Sequence, residues 1–382
     1  MSLHRFSITC LLLTMLCASI ASAQQPRPTP AAPVIGAKSY LLIDSITGNE
    51  LASLDPDARN PPASLTKIMT EYVVFSALRD GQITMQDQVT VSEKAWRMEG
   101  SRMFIEVGKQ VKVEDLLMGM IVQSGNDASV ALAEHVAGSE SVFAELMNQH
   151  AQQIGMLSSN FVNATGLPDA NHYTTARDLA TLARRMIQDF PEYYRMHSVK
   201  EFTYNDIRQP NRNALLWRDS TVDGLKTGHT DEAGYCLVAS AERDGMRVVS
   251  VVMGTASEKA RATGSQALIN YGFRFFETRL LFKAGEEIST VRVWKSANET
   301  SALGVTEDLY ITVPRGSYDE LESTLDAPAI IEAPLATGQP VAYLKVSLRG
   351  EQLLNQPLRA LADNPVGGIW QRISDSVSLW FE

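Results

Sequence analysis

The sequence has few cysteines, no excess of basic charge and no long apolar run in its interior. It contains three cysteines in 382 residues, and two of them, Cys10 and Cys17, lie near the N-terminus. Without that segment, Cys236 has no partner for an intramolecular disulfide. The interior lacks a run of the roughly 20 apolar residues that a transmembrane helix requires. It also lacks metal-ligand spacings and phosphate-binding loops, so we expect neither a metal nor a cofactor.

The first 23 residues have the pattern of a secretory signal peptide. Arg5 precedes an apolar stretch, residues 6–20, which ends in the small residues 21–23. An uncleaved anchor helix is the alternative. Removing this segment leaves 33 basic against 44 acidic side chains, because Arg5 is lost, and 33 − 44 gives a net charge of −11. We therefore expect an exported, acidic protein that does not bind nucleic acid.

Composition divides the rest of the chain into four segments. Residues 24–34 are rich in proline and predict an extended tether. Residues 35–284 mix strand and helix patterns and hold every candidate for chemistry. Residues 285–364 show short alternating segments and predict a β-rich domain that acts as a spacer or docking module. Residues 365–382 predict a linker followed by an amphipathic helix.

Strand and helix patterns occur in a definite order within residues 35–284. Residues 39–53 predict two strands around a turn at 47–49, and two compact apolar runs predict strands on either side of Gly245. Helical patterns dominate residues 113–188. Predicted strands thus lie near both ends of the segment, with a helical part between them.

The amphipathic helix covers residues 369–382. At 100° per residue, six of its apolar side chains fall within an arc of about 120°, namely Ile369, Trp370, Ile373, Val377, Trp380 and Phe381. We expect this helix to lie on the outer face of the cytoplasmic membrane. Packing against its own domain or a second copy is the alternative. Arg372 is its only cation, so attraction to anionic lipid should be weak.

A serine and a lysine stand three residues apart at Ser64-Leu65-Thr66-Lys67. Pro61 and Pro62 end the preceding extended chain, and we predict a helix from Ser64 to Leu78. On a helix the lysine lies one turn from the serine and can accept its proton. An N-capping serine and a surface lysine would be the structural alternative.

Two further motifs follow Ser64 in the chain. Lys226-Thr227-Gly228 precedes an apolar run and is expected on an edge strand, where the glycine permits close approach of another backbone. A Ser-x-Asn motif has three candidates: Ser124 with Asn126, Ser158 with Asn160, and Ser296 with Asn298. We favour Ser124 and Asn126, since they interrupt two helical patterns and a loop there can present side chains to a cleft.

The three motifs in this order are typical of penicillin-binding proteins and class A β-lactamases. From about residue 35 to the C-terminus, the chain resembles the low-molecular-mass D-Ala-D-Ala carboxypeptidases of the penicillin-binding protein 5 type. Besides the motifs, the resemblance is carried by residues 60–67, 124–128, 161–167, 172–180 and 223–230. It implies an α+β, β-lactamase/DD-peptidase-like catalytic domain with an antiparallel sheet flanked by helices and a helical subdomain. The β-rich domain and the amphipathic helix would follow.

The resemblance implies a mechanism. Ser64 would attack the carbonyl between the two terminal D-alanines of a peptidoglycan pentapeptide, and penicillins would acylate the same serine. Lys67, desolvated and close to Lys226, would have its pKa lowered towards neutrality and act as general base. Ser124 would relay the proton to the leaving D-alanine, and Asn126 would hold Lys67 and the substrate backbone. The histidines His172 and His197 would be structural.

The substrate-binding residues are also implied by the resemblance. The backbone N–H groups of Ser64 and His229 would meet the developing oxyanion. Lys226, Thr227 and Arg261 would bind the free carboxylate of the substrate, beside Gly228. Arg212 is a further cleft candidate.

Three other functions remain open. A class A β-lactamase would need a glutamate on a Glu-x-x-x-Asn loop before Lys226 to activate the deacylating water, and we expect none. A DD-endopeptidase would cut cross-linked stem peptides with the same residues. A cell-wall binding protein would keep the fold without the reaction.

Overall fold

The computed structural model describes residues 29–380, so the predicted signal peptide, residues 24–28 of the tether, Phe381 and Glu382 lie outside the described residues. The helices are α1 (Thr66–Arg79), α2 (Glu93–Trp96), α3 (Val113–Met118), α4 (Asn126–Ala137), α5 (Glu140–Gln153), α6 (Ala176–Asp189), α7 (Pro191–Tyr194), α8 (Leu215–Arg218), α9 (Glu258–Phe275) and α10 (Ile369–Ser378). The strands are β1 (Ser39–Asp44), β2 (Glu50–Leu54), β3 (Gln88–Thr90), β4 (Gln110–Lys112), β5 (Glu201–Tyr204), β6 (Ile207–Pro210), β7 (Val222–Thr230), β8 (Gly234–Arg243), β9 (Met246–Thr255), β10 (Phe276–Phe282), β11 (Glu287–Arg292), β12 (Thr300–Gly304), β13 (Leu309–Pro314), β14 (Leu321–Asp326), β15 (Pro340–Leu348) and β16 (Glu351–Ala360).

A five-stranded antiparallel sheet forms the centre of the first part of the chain. Its strand order is β2-β1-β9-β8-β7, so the two ends of the segment meet in one sheet and β7 is an edge strand. A two-residue turn at Asp244 and Gly245 joins β8 to β9, and both residues have positive φ, as tight hairpin turns require. The predicted strands around residues 47–49 and Gly245 are thus β1, β2, β8 and β9.

The sheet is buried on both faces. In β9, Val248 and Val252 face a core shared with α9, while Val249 and Val251 face a second core shared with α1, α6 and the other helices. This division follows from the two-residue period of a strand, since successive side chains point to opposite faces. The helices between residues 113 and 189 form the helical subdomain, and the predicted antiparallel sheet flanked by helices is confirmed.

The second part of the chain is β-rich, as predicted. Strands β11, β12, β16, β15 and β14 form a five-stranded sheet with its own hydrophobic core, and β10 pairs with β13. We propose that the division between the domains lies at Phe275 and Phe276 rather than at residues 284 and 285, because among residues 29–380 β10 pairs only with β13, a strand of the β-rich part. Thr278 donates a hydrogen bond to Asp44 at 2.7 Å and links the two parts.

Helix α10 is amphipathic with an unusual orientation. Its apolar side chains are exposed, among them Trp370 at 84%, and so is Trp380 at 90%, two residues beyond the end of the helix. Its polar face contacts the protein instead, since the buried Asp375 accepts a hydrogen bond from the Lys295 backbone N–H at 2.6 Å. Within residues 29–380, no helix combines the length and apolar character that crossing a membrane would require.

Candidate active site

Ser64 lies in a 3₁₀ turn, Ala63–Leu65, that leads directly into α1. The α-helix therefore begins two residues later than we predicted, at Thr66. Ala63 has a φ of +49°, which a residue other than glycine rarely adopts. Such strained backbone occurs preferentially at functional sites, and here it directly precedes the candidate nucleophile.

Lys67 is fully buried beside Ser64. Its Nζ lies 2.7 Å from Asn126 Oδ1, 2.7 Å from the Thr165 carbonyl oxygen and 3.1 Å from Ser64 Oγ. The first two partners can only accept hydrogen bonds, so they take two N–H groups of the lysine. The remaining bonding direction of Nζ points to Ser64 Oγ. A charged ammonium donates a hydrogen bond there, whereas a neutral amine accepts one from the serine hydroxyl. The geometry therefore serves proton transfer in both directions.

The electrostatic surroundings favour the neutral amine. Burial lowers the pKa of Lys67 well below its ordinary value, and the neighbouring charge of Lys226 lowers it further. Burial also lowers the pKa of Lys226 to about 7. Two buried lysines side by side can thus share a charge at neutral pH.

Ser124 follows a π-helical turn, Gly119–Gln123, and Asn126 is the first residue of α4. Ser124 is left-handed, with φ +68° and ψ +35°, and its Oγ is buried without a hydrogen-bond partner among residues 29–380. Asn126 binds Lys67 through Oδ1, but its Nδ2 donates to the Glu99 carbonyl at 2.6 Å. The amide has two N–H donors, so one is engaged within the protein and the other is available to the substrate backbone.

The other two Ser-x-Asn candidates lie outside the cleft. Ser159, inside the second candidate, donates to Asp178, while Asn160 donates to the Asn171 carbonyl. Ser296 Oγ lies 2.6 Å from the carbonyl oxygens of both Val293 and Asn298, within a turn of the β-rich part, and can donate to either. In both motifs, side chains are thus engaged in structural hydrogen bonds away from the cleft.

The Lys-Thr-Gly motif lies on β7, at the edge of the sheet, as predicted. Gly228 passes the turn that carries Ser64, and a Cβ there would lie 3.0 Å from the Pro62 carbonyl oxygen. His229 is exposed and stacks on Tyr235 with ring centroids 3.9 Å apart. The glycine at position 228 therefore allows the edge strand β7 to approach Ser64.

Arg261 is buried, although a polar surrounding sequence usually indicates a solvated arginine. It lies in the first turn of α9, and its Nη1 donates to the Gly228 carbonyl at 3.2 Å. Arg212 is exposed at the rim of the same cleft. The structure thus brings both tentative arginines to the site.

All ten sequence-predicted residues meet around one cleft of about 360 Å³, a size at the lower end of ligand-binding pockets. Ser64, Ser124, Asn126, Thr227, Gly228, His229, Arg212 and Arg261 line it, together with Gly100, Ser101, Gly166 and Tyr235. Lys67 and Lys226 lie buried beneath it. The cleft is polar and carries an excess of positive charge.

Sequence reasoning missed three contributions to this cleft. The Thr165 carbonyl holds Lys67, and a backbone group leaves no signal in the choice of side chain. Gly166 has φ +83° and lies so close to the turn that a Cβ would be 1.8 Å from the Ala63 carbonyl oxygen. Asp127 accepts the backbone N–H groups of Met103, Phe104, Ile105 and Ala128 and so fixes the loop beside Ser101.

The expectation that no Glu-x-x-x-Asn precedes Lys226 was wrong, because residues 201–205 have this pattern. Glu201 lies on the β5–β6 hairpin, is exposed and pairs with Arg208. It does not line the cleft. Its position therefore does not suit activation of a deacylating water.

Comparison with known proteins gives the family. The family model described as D-alanyl-D-alanine carboxypeptidase matches residues 26–257. The chain belongs to this family. A model for the C-terminal domain of penicillin-binding protein 5 matches residues 276–365 of the same chain. The predicted resemblance to carboxypeptidases of the penicillin-binding protein 5 type is confirmed.

Curated relatives in this family match nearly the whole chain. D-alanyl-D-alanine carboxypeptidase DacA of Haemophilus influenzae is 44% identical over 90% of this chain and 89% of its own. DacA of Escherichia coli K12 is 41% identical over 97% of this chain and 95% of its own. A crystal structure of penicillin-binding protein 5 from Haemophilus influenzae superposes with a TM-score of 0.86 and 44% identity, covering 88% of this chain and 99% of that one.

Proposed function

We propose that the protein is a serine-type D-Ala-D-Ala carboxypeptidase that removes the terminal D-alanine from peptidoglycan pentapeptides through an acyl-enzyme on Ser64. The contact that carries the proposal is the one between Lys67 Nζ and Ser64 Oγ, at 3.1 Å, inside a buried site. A serine hydroxyl becomes a nucleophile when a neighbouring base takes its proton. Family membership supports the choice of substrate.

In the acylation step, neutral Lys67 accepts the Ser64 proton as Oγ attacks the carbonyl carbon. The backbone N–H groups of Ser64 and His229 receive the charge that develops on the carbonyl oxygen. This assignment is supported by the close passage of the edge strand β7 beside the turn Ala63–Leu65. Removing one such donor typically raises the barrier by about 3 kcal/mol.

Ser124 completes the proton path to the leaving D-alanine. Its buried Oγ has no hydrogen-bond partner in the described part of the protein, so it is free to bind the leaving amine. A polar group buried without a partner destabilises a fold, and a substrate group that satisfies it explains its retention. Proton transfer then runs from Lys67 through Ser124 to the amine, and D-alanine leaves.

The free carboxylate of the substrate lies, in this proposal, at the cationic end of the cleft. Lys226, Arg261 and Arg212 supply positive charge there, and Thr227 supplies a hydroxyl. A dipeptide end with a carboxylate is therefore favoured over an internal peptide bond. This observation favours a carboxypeptidase over an endopeptidase.

Release of free D-alanine from a soluble pentapeptide tests the proposal. We expect release by the wild-type protein and none by Ser64→Ala, with Ser159→Ala as the matched control, because that serine lies outside the cleft. A cross-linked dimer of stem peptides is assayed in parallel. Cleavage of the cross-link without release of D-alanine would show an endopeptidase instead of a carboxypeptidase. Rapid hydrolysis of penicillin would show a β-lactamase instead.

We further propose that the protein is exported and attaches to the outer face of the cytoplasmic membrane through α10. The exposed apolar side chains Ile369, Trp370, Ile373, Val377 and Trp380 support this attachment. The test compares vesicle binding of the full chain with a chain truncated after Asn364. Equal binding of both chains would exclude attachment through α10.

A further inference from the structure

A buried carboxylate at the start of α4 binds backbone N–H groups of a neighbouring loop. Asp127 is 1% exposed and lies in the first turn of the helix. Its Oδ1 accepts the backbone N–H groups of Met103 at 3.0 Å and Ala128 at 2.9 Å. Its Oδ2 accepts those of Phe104 at 2.9 Å and Ile105 at 3.3 Å. The proposed reaction does not use this side chain.

The wall loop, residues 99–105, is shaped around this carboxylate. The three successive N–H groups of residues 103–105 converge on it, as in the backbone nests that bind anions. Phe104, at the centre, has a φ of +69°, which a bulky residue rarely adopts. Such strain persists only where the surrounding structure constrains the backbone. Asp127 supplies this constraint together with Gln209, which donates to the Arg102 carbonyl at 3.0 Å.

The wall loop contacts Asn126 at two points. The Ser101 carbonyl accepts the backbone N–H of Asn126 at 2.7 Å, and the Glu99 carbonyl accepts a hydrogen bond from its Nδ2 at 2.6 Å. A carbonyl oxygen can only accept, so Glu99 determines which end of the amide is Nδ2. Oδ1 then faces Lys67 Nζ at 2.7 Å. A half-turn of the amide would bring two oxygens together at Glu99 and an N–H group against Lys67.

We propose that Asp127 is a positioning residue, which holds the wall loop so that the Glu99 carbonyl sets the orientation of the Asn126 amide. In this orientation the amide accepts a hydrogen bond from Lys67 and keeps its second N–H group for the substrate backbone. The inference rests on the proposed function, since Lys67 is the base of that reaction. A displacement of about 1 Å in such a site can slow the reaction by about 100-fold.

Asp127→Asn tests the role of the carboxylate. One end of the asparagine amide is an NH₂ group, which cannot accept from the backbone N–H groups that it faces. We expect the rate constant of labelling by fluorescent penicillin to fall by about 10-fold or more. Asp178→Asn is the matched control, because Asp178 is a buried carboxylate in the first turn of α6 and accepts the Ser158 backbone N–H outside the cleft. Both variants should lower the melting temperature, but only Asp127→Asn should lower the rate constant.

A double-mutant cycle shows whether Asp127 acts through Asn126. In the Asn126→Ala background the amide is absent, so we expect Asp127→Asn to change the remaining rate constant by less than about 3-fold. Labelling is followed for hours, so that slow variants are measured. The charge of Asp127 also acts on Lys67, and a purely electrostatic effect would persist in this background. Independent effects of the two substitutions would overturn the inference.

Gly100→Ala tests the contact between the wall loop and the amide without changing a buried group. Gly100 is exposed, and a Cβ there would lie 2.9 Å from Asn126 Nδ2. We expect labelling to be slowed by about 10-fold in the wild-type background. It should be unchanged in the Asn126→Ala background, where no Nδ2 remains. Unchanged labelling in the first background, or equal slowing in both, would contradict the inference even if Asp127→Asn does not fold.

The wild-type protein separates this inference from the proposed function. If it takes no label at Ser64 and releases no D-alanine, the proposed function fails. If it is active and Asp127→Asn is labelled as fast as Asp178→Asn, only the role of Asp127 is wrong.

Discussion

Replacing Lys226 by methionine should abolish activity and stabilise the protein. Lys226 is 2% exposed, and burial lowers its pKa from 10.5 to about 7. The folded state therefore binds fewer protons than the unfolded state between these two pH values. The free energy of unfolding of the wild-type protein therefore rises as the pH increases from 7 to 10.5. Below pH 7 the destabilisation by the buried lysine is fully present.

The magnitude follows from the size of the shift. At pH 7 the difference of 10.5 − 7, or 3.5 units, corresponds to about 5 kcal/mol. Methionine has a similar length, but it loses the hydrogen bond from Nζ to the Thr227 carbonyl, which contributes about 1 kcal/mol. We therefore expect Lys226→Met to gain about 4 kcal/mol at pH 7. pH 9.5 is one unit below the pKa of 10.5 in the unfolded state, so the buried lysine then destabilises the fold by only about 1 kcal/mol. The lost hydrogen bond offsets this amount, and the gain should fall close to zero.

Urea unfolding at pH 7 and pH 9.5 measures this difference. Lys345→Met is the control, because Lys345 is partly exposed and pairs with Asp326 on the surface. Its effect should stay below about 1 kcal/mol at both pH values. If Lys226→Met is destabilised, or is stabilised equally at both pH values, the burial of Lys226 does not lower the free energy of unfolding as we expect.

Three further predictions concern the nucleophile and its surroundings. Ser124→Ala should slow D-alanine release by about 100-fold or more without lowering the melting temperature, because its Oγ has no partner in the described structure. Gly166→Ala should displace the turn at Ala63 and slow labelling by fluorescent penicillin by about 100-fold; unchanged labelling would contradict the close approach. Burial lowers the pKa of His172 from 6.5 to about 4, so the unfolded state binds more protons between these pH values. The free energy of unfolding should therefore fall by up to about 3 kcal/mol as the pH is lowered from 6.5 to 4. His172→Gln should flatten that dependence in urea titrations.

Much of the fold follows from local patterns in the sequence. The two compact apolar runs, residues 235–241 and 246–253, and the turn at Gly245 between them predict β8 and β9. The family resemblance that the three motifs carry also implies that Ser64, Ser124 and Lys226 meet. Each motif lies at the end of an element or on an edge strand, where a cleft can form. Strand order and the division of the core depend on long-range pairing, which local patterns do not encode.

The remaining features of the site depend on tertiary contacts. The Thr165 carbonyl binds Lys67 as a backbone group, and any residue could supply it. Arg261 lies in a polar stretch, yet it is buried in the first turn of α9 and donates to the Gly228 carbonyl. Asp127 appears in the sequence as the residue after a Ser-x-Asn motif. Its contacts with residues 103–105 span 22 to 24 positions of the chain.

The covalent adduct with penicillin tests the central claim most directly. Incubation with benzylpenicillin, digestion and mass spectrometry locate the acylated residue. We expect one penicilloyl group on the peptide that contains Ser64, none after Ser64→Ala, and much slower formation after Lys67→Ala, because no base remains within reach of Oγ. An adduct on another residue, or no adduct on a folded protein, would contradict the assignment of Ser64 as the nucleophile.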